Sequence, residues 1–269
     1  MILLDVGGTF IKCSDGRQIP IPSGGPKEEI ALALQQAIST PGTPGGSVDI
    51  GVAIPGPFDY REGIFLMKHK FASVYGMKFT DLVRLPEGAN IKFIHDVNAV
   101  LEGAIKMLGL QDRNVALITI GTGLGFTYSV KGKVQYGPLL SPSRALYNVP
   151  YGDGILEDIV SARGIKDAYA KLTGLTTESA LDIAKRAYND EIEALEVYSG
   201  VGSALGDVLP EIFDELEIDT LLMGGQISKS LPLMLRPLAN ALEGIKITNA
   251  PDGAVFEGIK SLFSNNQPI

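Results

Sequence analysis

The chain has 269 residues, of which 45% are hydrophobic, and its formal net charge at pH 7 is −8. That is enough apolar material for one large globular domain or two modest ones, while the negative charge disfavours nucleic acid and anionic membranes as main partners. Cys13 is the single cysteine, which excludes an intramolecular disulfide and a cysteine-rich zinc site and fits a reducing, cytoplasmic location.

No segment is typical of a leader or a membrane span. Asp5 interrupts the apolar start before it reaches the length of a signal-peptide core. Every other apolar run is far shorter than the roughly 18 residues that a transmembrane helix needs. We therefore expect neither a signal peptide nor a transmembrane helix.

The first elements along the chain form a predicted β-meander followed by a helix. The predicted strands cover residues 2–4, 10–13 and 18–21. Asp15 and Gly16 form a typical hairpin turn between two of them. Apolar residues at helical spacing predict a helix over 27–39, and the Gly- and Pro-rich run 40–47 is interpreted as a loop within one domain.

A buried strand is predicted at 48–54, a further strand ends at Asp96, and residues 99–108 have a helical pattern. Residues 115–137 then repeat the design of the opening, with a buried strand, a glycine turn, a second strand, a tight turn and a third strand. Two β-meanders of one design predict a duplicated fold.

Helical patterns dominate the rest of the chain, from 155 to about 216. The strand DTLLMGG, at 219–225, follows them and precedes a predicted helix from about 230 to 242. No low-complexity tract or long run of like charges occurs.

Both meanders carry a glycine turn suited to phosphate. The two turns contain Asp5, Gly7, Gly8 and Thr9 in the first and Gly121, Thr122 and Gly123 in the second. Glycines let the backbone approach a polyanion, and an acid can hold a metal or its water shell. A glycine pair between strands is also typical of a plain turn, and only the repetition favours phosphate binding. The second turn is not a Walker loop, because no Lys-Ser or Lys-Thr follows its glycines and the next segment is a predicted strand; a Rossmann fingerprint does not fit for the same reason.

Two further segments complete an ordered set of motifs. GVAIPGPFD, at 51–59, places Pro-Gly-Pro after a buried strand, and LLMGGQIS, at 221–228, places two glycines between a strand and a helix. With DVGGTFIK, FIHDVNAVLEGA and ITIGTGLGFTYSVKGKV, they make the chain resemble the ROK family of sugar kinases and repressors, within the actin and hexokinase superfamily. The likeness runs nearly end to end.

The resemblance implies an α/β fold of two duplicated ribonuclease H-like domains, of the actin and hexokinase type, around a central cleft. ATP with Mg²⁺ is expected on one wall and a sugar at the base. We expect an N-terminal domain at 1–106, completed by a C-terminal helix at 253–269, and a C-terminal domain at 107–252. Dimers are common among such proteins, so a homodimer stays open.

Matching motifs transfer the family's functional residues to this chain. Asp96 corresponds to the catalytic base. The positions implied for the nucleotide and its metal are Asp5, which reaches Mg²⁺ through water, and Gly7, Gly8, Thr9, Lys12, Gly121, Thr122, Gly123, Gly224 and Gly225. The positions implied for the sugar are Pro55, Gly56, His95, Asp96 and Glu157.

Structural interpretations stand beside these roles. Asp96 can cap the helix that begins near Ala99, and Glu157 can serve as an acid in the first turn of a helix. Gly224 and Gly225 can form a strand-to-helix turn and bind the adenosine at the same time, so the structural and the functional interpretation do not exclude each other.

The chain departs from the family at three places. The stretch 139–154 has no histidine and no cysteine, so the family's structural zinc is not expected and one sugar contact is lost. Asn148 or Arg144 can substitute as a hydroxyl partner, although a solvated loop charge is the favoured interpretation of Arg144. His95 stands where the family has asparagine and can bind a hydroxyl or shift the pKa of the base. Residues 67–76, including His69, lack the usual Asn-Leu sugar loop.

Three functions follow as hypotheses. The first is an ATP-dependent kinase for a hexose or amino sugar, such as glucose, N-acetylglucosamine or N-acetylmannosamine. The second is a non-enzymatic sugar sensor that acts by protein contact, because the first phosphate motif begins at Ile2 and leaves no room for a DNA-binding segment before it. The third is a kinase of the same superfamily for a non-sugar such as pantothenate.

Overall fold

The computed structural model describes residues 1–39, 48–176 and 178–264. The predicted loop 40–47 therefore lies outside the described residues. The chain divides into two compact units. The first contains Met1–Gly109, Tyr136–Ser143 and Pro251–Ile269, and the second contains Leu110–Gln135 and Arg144–Ala250.

The first unit is built on a five-stranded sheet with the order β3-β2-β1-β4-β7. Its strands are β1 (Ile2–Val6), β2 (Phe10–Cys13), β3 (Gln18–Pro20), β4 (Asp49–Ile54) and β7 (Asn90–His95). Strands β1, β4 and β7 run parallel, whereas β2 and β3 are antiparallel additions at one edge. A two-stranded ribbon, β5 (Phe58–Asp59) with β6 (Ile64–Phe65), follows β4.

The second unit repeats this sheet with the order β10-β9-β8-β13-β14. Its strands are β8 (Val115–Ile120), β9 (Leu124–Val130), β10 (Lys133–Val134), β13 (Thr220–Gly224) and β14 (Lys246–Asn249). Again one antiparallel meander is joined to parallel strands. A ribbon of β11 (Pro150–Tyr151) and β12 (Gly154–Ile155) precedes the helices. The duplicated α/β fold predicted from the two meanders is confirmed.

Seven α-helices cover the sheets in the described ranges. They are α1 (Lys27–Ile38), α2 (Asp96–Leu108), α3 (Ala162–Thr173), α4 (Ala180–Ala187), α5 (Ile192–Leu216), α6 (Leu231–Ala241) and α7 (Ala254–Ser261). The predicted helices at 27–39 and 230–242 are confirmed as α1 and α6. The helical pattern read from Ile155 is wrong at its start, because β12 and a short 3-10 turn, Leu156–Asp158, come before α3.

In each unit, one pair of helices packs backbone against backbone. A Cβ atom at Gly103 of α2 would lie 1.8 Å from the Ala254 carbonyl oxygen of α7, so only glycine permits this contact. In the second unit, a Cβ atom at Gly202 of α5 would lie 2.2 Å from the Met234 carbonyl oxygen of α6. Helix α7 therefore belongs to the first unit, although the whole second unit precedes it in the chain.

Both sheets bury apolar side chains on their two faces. In the first unit, α7 places the fully buried Ile259 in a cluster with Leu3, Ala53 and Ile94. A larger cluster on the other face includes Cys13. No helix in the described part of the chain is long and apolar enough to cross a membrane.

Candidate functional site

Three parallel strands of the first unit end at one edge of its sheet. Residues Asp5 and Ala53 are partners across β1 and β4, and Ile54 and His95 are partners across β4 and β7. The glycine turn after β1, the Pro-Gly-Pro loop after β4 and Asp96 after β7 therefore lie at the same edge. Ligands of α/β sheets bind at the carboxyl ends of strands for this reason.

The first glycine turn is closed by its own backbone. The Gly7 N–H donates to the Phe10 carbonyl at 2.9 Å, and the Thr9 carbonyl accepts from the Ile21 N–H at 2.9 Å. Ser23 donates from its hydroxyl to the Gly8 carbonyl at 2.6 Å. The turn is thus held from both sides, with Thr9 exposed at its tip.

Asp5 and Lys12 face each other across β1 and β2. Lys12 Nζ lies 3.7 Å from Asp5 Oδ2, and the Asp5 side chain is 19% exposed. Burial raises the pKa of Asp5 to about 6, helped by the charge of Asp96 and opposed by Lys12. The carboxyl therefore keeps its proton to a higher pH than an ordinary aspartate, and an approaching cation would favour its ionised form.

Asp96 is the first residue of α2, and two donors meet on its Oδ1. His95 Nδ1 lies 2.8 Å from that oxygen, and the Val97 N–H donates to it at 2.8 Å. His95 Nδ1 is also 3.3 Å from the Val97 nitrogen, but the shorter contact to a carboxylate requires the proton on Nδ1. In neutral His95, Nε2 is consequently the acceptor.

The surroundings of Asp96 favour its ionised form. Burial acts to raise the pKa of Asp96, but the His95 imidazole, the Val97 N–H and the charge of Lys70 together hold that pKa below its ordinary value. The Asp96 side chain remains 36% exposed.

The helix predicted from near Ala99 begins three residues earlier in the structure, since α2 begins at Asp96.

The loop after β4 brings Gly56 against His95. A Cβ atom at Gly56 would lie 3.3 Å from His95 Nε2 and 3.4 Å from the Tyr60 hydroxyl oxygen. Tyr60 packs its ring 5.6 Å from the imidazole and donates to the Ile54 carbonyl at 3.0 Å. Gly56 therefore lies directly beside Nε2 of His95, and a side chain at that position would crowd the nitrogen.

The second unit carries its glycine turn between β8 and β9. The Gly121 N–H donates to the Gly123 carbonyl at 3.0 Å, and the Gly121 carbonyl accepts from the Ala162 N–H at 2.8 Å. Thr122 is exposed at the tip. A Cβ atom at Gly121 would meet nothing within 4 Å, so this glycine faces open space.

Glu157 lies against this second turn. Its Oε2 accepts from the Leu124 N–H at 2.8 Å and would lie 2.7 Å from a Cβ atom at Gly123. Glu157 stands in the 3-10 turn before α3. The structure thus gives it a contact with the glycine turn that the sequence did not indicate.

Gly224 and Gly225 end β13 beside the same turn. Gly224 is the partner of Thr119 in β8. Gly225 has a φ of +85°, and a Cβ atom there would lie 2.3 Å from the Ile120 carbonyl oxygen. Backbone packing therefore requires glycine at Gly225 whatever it binds.

The stretch that departs from the family has other contacts. Arg144 pairs with Glu215 at 2.7 Å, so its charge is engaged within the second unit, whereas Asn148 is exposed. Residues Tyr136–Ser143 return to the first unit, where the Leu139 carbonyl accepts from the Tyr60 N–H at 3.3 Å. His69 is exposed.

The sequence did not indicate Lys70, which lies beside Gly8 and whose charge lowers the pKa of Asp96. The only signal in the sequence is that Lys70 lies within residues 67–76, where the chain departs from the family.

The donor set at the first turn fits Mg²⁺ bound chiefly through phosphate. Within residues 1–39, 48–176 and 178–264, no group of three or more His, Cys, Asp or Glu side chains could hold a metal ion. Mg²⁺ keeps several waters and takes one or two carboxylates plus phosphate oxygens. Asp5, a single carboxylate directly beside the glycine turn, suits that arrangement.

Solved structures share this fold. A ROK family glucokinase from Streptomyces griseus, in complex with glucose and AMPPNP, has a TM-score of 0.79 at 18% identity, with 97% of this chain and 98% of that chain covered. A ROK family transcriptional regulator, a homologue of the E. coli MLC protein, has a TM-score of 0.75 at 17% identity, with 96% and 76% covered. The fold is therefore the duplicated two-domain fold of the hexokinase-type sugar kinases and their relatives.

Sequence comparison narrows this class to one family. The ROK family matches residues 2–141, which is more than half of the chain. The glucokinase of Halalkalibacterium halodurans is 25% identical, with 94% of this chain and 88% of that protein covered. The chain belongs to the ROK family.

Proposed function

We propose that this protein is an ATP-dependent kinase for a hexose or amino sugar, of the glucose, N-acetylglucosamine or N-acetylmannosamine type. The observation that carries the proposal is the shared edge of the first sheet, where the glycine turn, Gly56 and Asp96 follow three parallel strands. Family membership and the relative named glucokinase support it.

Asp96 is the proposed base. The acceptor hydroxyl oxygen attacks the γ-phosphorus of ATP while the bond from that phosphorus to the bridging oxygen breaks, its electron pair going to ADP. The hydroxyl proton goes to Asp96 Oδ2, since both donors described above lie on Oδ1. The depressed pKa of Asp96 keeps this acceptor ionised at neutral pH.

The remaining residues bind and orient. His95 Nε2 accepts a sugar hydroxyl beside Pro55 and Gly56. Gly7, Gly8 and Thr9, with Lys12, bind the nucleotide phosphates, and Asp5 holds the water shell of Mg²⁺, which when bound neutralises phosphate charge.

In the second unit, we propose Gly121, Thr122 and Gly123 for nucleotide phosphate and Gly224 and Gly225 for adenosine. Glu157 is a positioning residue for the second turn as well as a candidate sugar contact, because it accepts from the Leu124 N–H.

A screen of ATP consumption tests the proposal. The purified protein with Mg²⁺ is offered glucose, N-acetylglucosamine, N-acetylmannosamine, other hexoses and pantothenate. We expect turnover with at least one sugar and none with pantothenate. Turnover with pantothenate alone would contradict the sugar assignment.

A sugar-binding regulator is the second candidate, because a ROK transcriptional regulator shares the fold. Calorimetric binding of a sugar without ATP consumption would favour it over the kinase.

A further inference from the structure

Lys70 lies over the first glycine turn. A Cβ atom at Gly8 would be 3.5 Å from Lys70 Cε and 3.6 Å from Lys70 Cδ, so the lysine stem rests on that glycine. The residue is half-buried. Its side chain therefore lies against the turn proposed to bind phosphate.

The loop fixes this position. The next residue, Phe71, is fully buried and packs its ring 5.5 Å from Phe65. The Phe71 N–H donates to the Ser23 carbonyl at 2.6 Å, and the Ser23 hydroxyl donates to the Gly8 carbonyl at 2.6 Å. The backbone of the lysine loop is thus tied to the glycine turn through one serine.

The Lys70 charge has no ion-pair partner in the described part of the chain. Two other lysines of the same unit do have one, since Lys12 pairs with Asp5 and Lys78 with Glu62. Lys70 is nevertheless within electrostatic reach of Asp96, whose pKa it helps to hold down. A half-buried lysine without a direct ion pair gains from an anion that arrives with a ligand.

We propose that Lys70 is a further catalytic residue, whose ammonium group binds the phosphoryl group as it passes from the nucleotide to the acceptor. This rests on the function proposed above. As the bond to the bridging oxygen breaks and the bond to the acceptor oxygen forms, negative charge on the equatorial oxygens lies between Gly8 and Asp96. A fixed cation there stabilises the transition state more than either ground state.

An acidic group on the acceptor is the alternative source of the anion. The transferred phosphoryl group is favoured because the Lys70 stem rests on Gly8 itself, the turn that repeats in the second unit. An acid on a distant part of a sugar would not lie against that turn.

The test compares Lys70→Met with Lys68→Met. Methionine keeps an apolar stem over Gly8 and removes the charge. Lys68 is an exposed lysine of the same loop whose Nζ lies 5.4 Å above the Tyr75 ring, so it controls for the loss of one charge. Steady-state kinetics and calorimetric binding of MgADP, with and without aluminium fluoride as a mimic of the transferred group, are measured for both variants.

For Lys70→Met, we expect kcat to fall by about 10²–10³-fold, as for loss of one preorganised donor, with the KM of a neutral sugar little changed. The affinity gained by adding aluminium fluoride to MgADP should fall by a similar factor, while MgADP alone binds as in the wild type. Lys68→Met should match the wild type in every measurement.

Two results overturn the proposal while leaving the kinase function intact. One is wild-type kcat in Lys70→Met, and the other is a loss confined to the KM of acidic acceptors. If the wild type consumes no ATP with any acceptor, the kinase function fails. The binding measurement then tests the role of Lys70 by itself. Equal affinity of both variants for MgADP with aluminium fluoride overturns that role, and so does the absence of binding by the wild type.

Discussion

Two carboxylates of the first unit differ in their electrostatic surroundings. Asp96 receives two donors on one oxygen and has a depressed pKa, whereas burial raises the pKa of Asp5 to about 6. Such a separation assigns different tasks to neighbouring acids. Asp96 is ionised at a lower pH than Asp5, whose carboxyl loses its proton only as pH rises through about 6.

Replacing Asp96 by Asn should lower kcat by about 10²–10⁴-fold, the usual range for loss of a positioned base. Asparagine keeps an acceptor for the Val97 N–H, so sugar and nucleotide affinities should remain close to those of the wild type. Asp81→Asn, at an exposed aspartate of the same unit, is the matched control. Retained turnover in Asp96→Asn would contradict the assignment of the base.

Replacing Asp5 by Asn should stabilise the unliganded protein at neutral pH. Because the folded-state pKa of Asp5, about 6, exceeds its value of 3.8 in an unfolded chain, its contribution is fully present below pH 4 and is lost as pH rises through 6. The free energy of unfolding of Asp5→Asn should therefore exceed that of the wild type by about 1–3 kcal/mol at pH 7.

Urea denaturation at pH 4 and pH 7 measures this difference. The excess should shrink toward zero at pH 4, where the wild-type carboxyl is protonated. Nucleotide turnover should fall in the same variant, since it lacks the charge proposed to hold the Mg²⁺ water shell. An equal excess at both pH values would mean that Asp5 ionises normally in the folded state.

At the scale of elements, glycines decide how closely helices approach. Helix α5 contains two glycines that are two residues apart in sequence and differ in the atoms that surround them. A Cβ atom at Gly200 meets nothing within 4 Å, whereas one at Gly202 meets the backbone of α6. One substitution can therefore be compared at both positions within one helix.

We expect Gly200→Ala to stabilise the protein by about 0.5–1 kcal/mol, because alanine is the better helix former. Gly202→Ala should destabilise it by about 1–3 kcal/mol or more, because the added methyl group forces α5 and α6 apart. Thermal denaturation of the two variants measures both effects. Stabilisation by Gly202→Ala would show that the two helices can separate freely.

The elements that could be predicted from sequence are those with a complete local pattern. The meander strands are apolar runs bounded by turn residues, and α1 has helical spacing from end to end. Strand β14 could not be predicted, because it is a four-residue strand at the sheet edge without a fully buried side chain. The sequence pattern does not separate Ile155 from the helical residues that follow, because one apolar residue beside a helix does not reveal its period.

The candidate site residues differ in the same way in how far a local pattern indicates them. Asp96 and both glycine turns lie within continuous motifs, so a short stretch of sequence indicates them. Lys70 and Glu157 reach their turns from distant parts of the chain. No local pattern marks such contacts, because they depend on tertiary packing.

At the scale of the whole molecule, the two units have separate apolar cores. Ile259 of α7 is fully buried in the first, and Ile183 of α4 is fully buried in the second. Each residue reports on its own unit.

Ile259→Ala and Ile183→Ala should each cost about 2–4 kcal/mol of stability, the range for truncating a buried aliphatic side chain. Hydrogen exchange should rise in the first unit for Ile259→Ala and in the second for Ile183→Ala. A rise in both units for both variants would mean that the molecule unfolds as one cooperative body.

The purified protein should contain no stoichiometric zinc and should keep its fold in a chelator. Cys13 is the only cysteine and is buried in the core of the first unit, remote in sequence from the family's zinc segment. Elemental analysis and circular dichroism with and without chelator measure this. One tightly bound zinc per chain would contradict the interpretation of residues 139–154.

The place of α7 has a consequence for biosynthesis. Domains generally fold N-terminal first as the ribosome releases the chain. Here the first unit includes α7, which follows the whole second unit in the chain, so its sheet emerges before the helix that covers one face. All residues of the second unit leave the ribosome before that helix does. We therefore expect the second unit to finish folding before the first. Until α7 emerges, the uncovered face of the first unit's sheet should depend on chaperones.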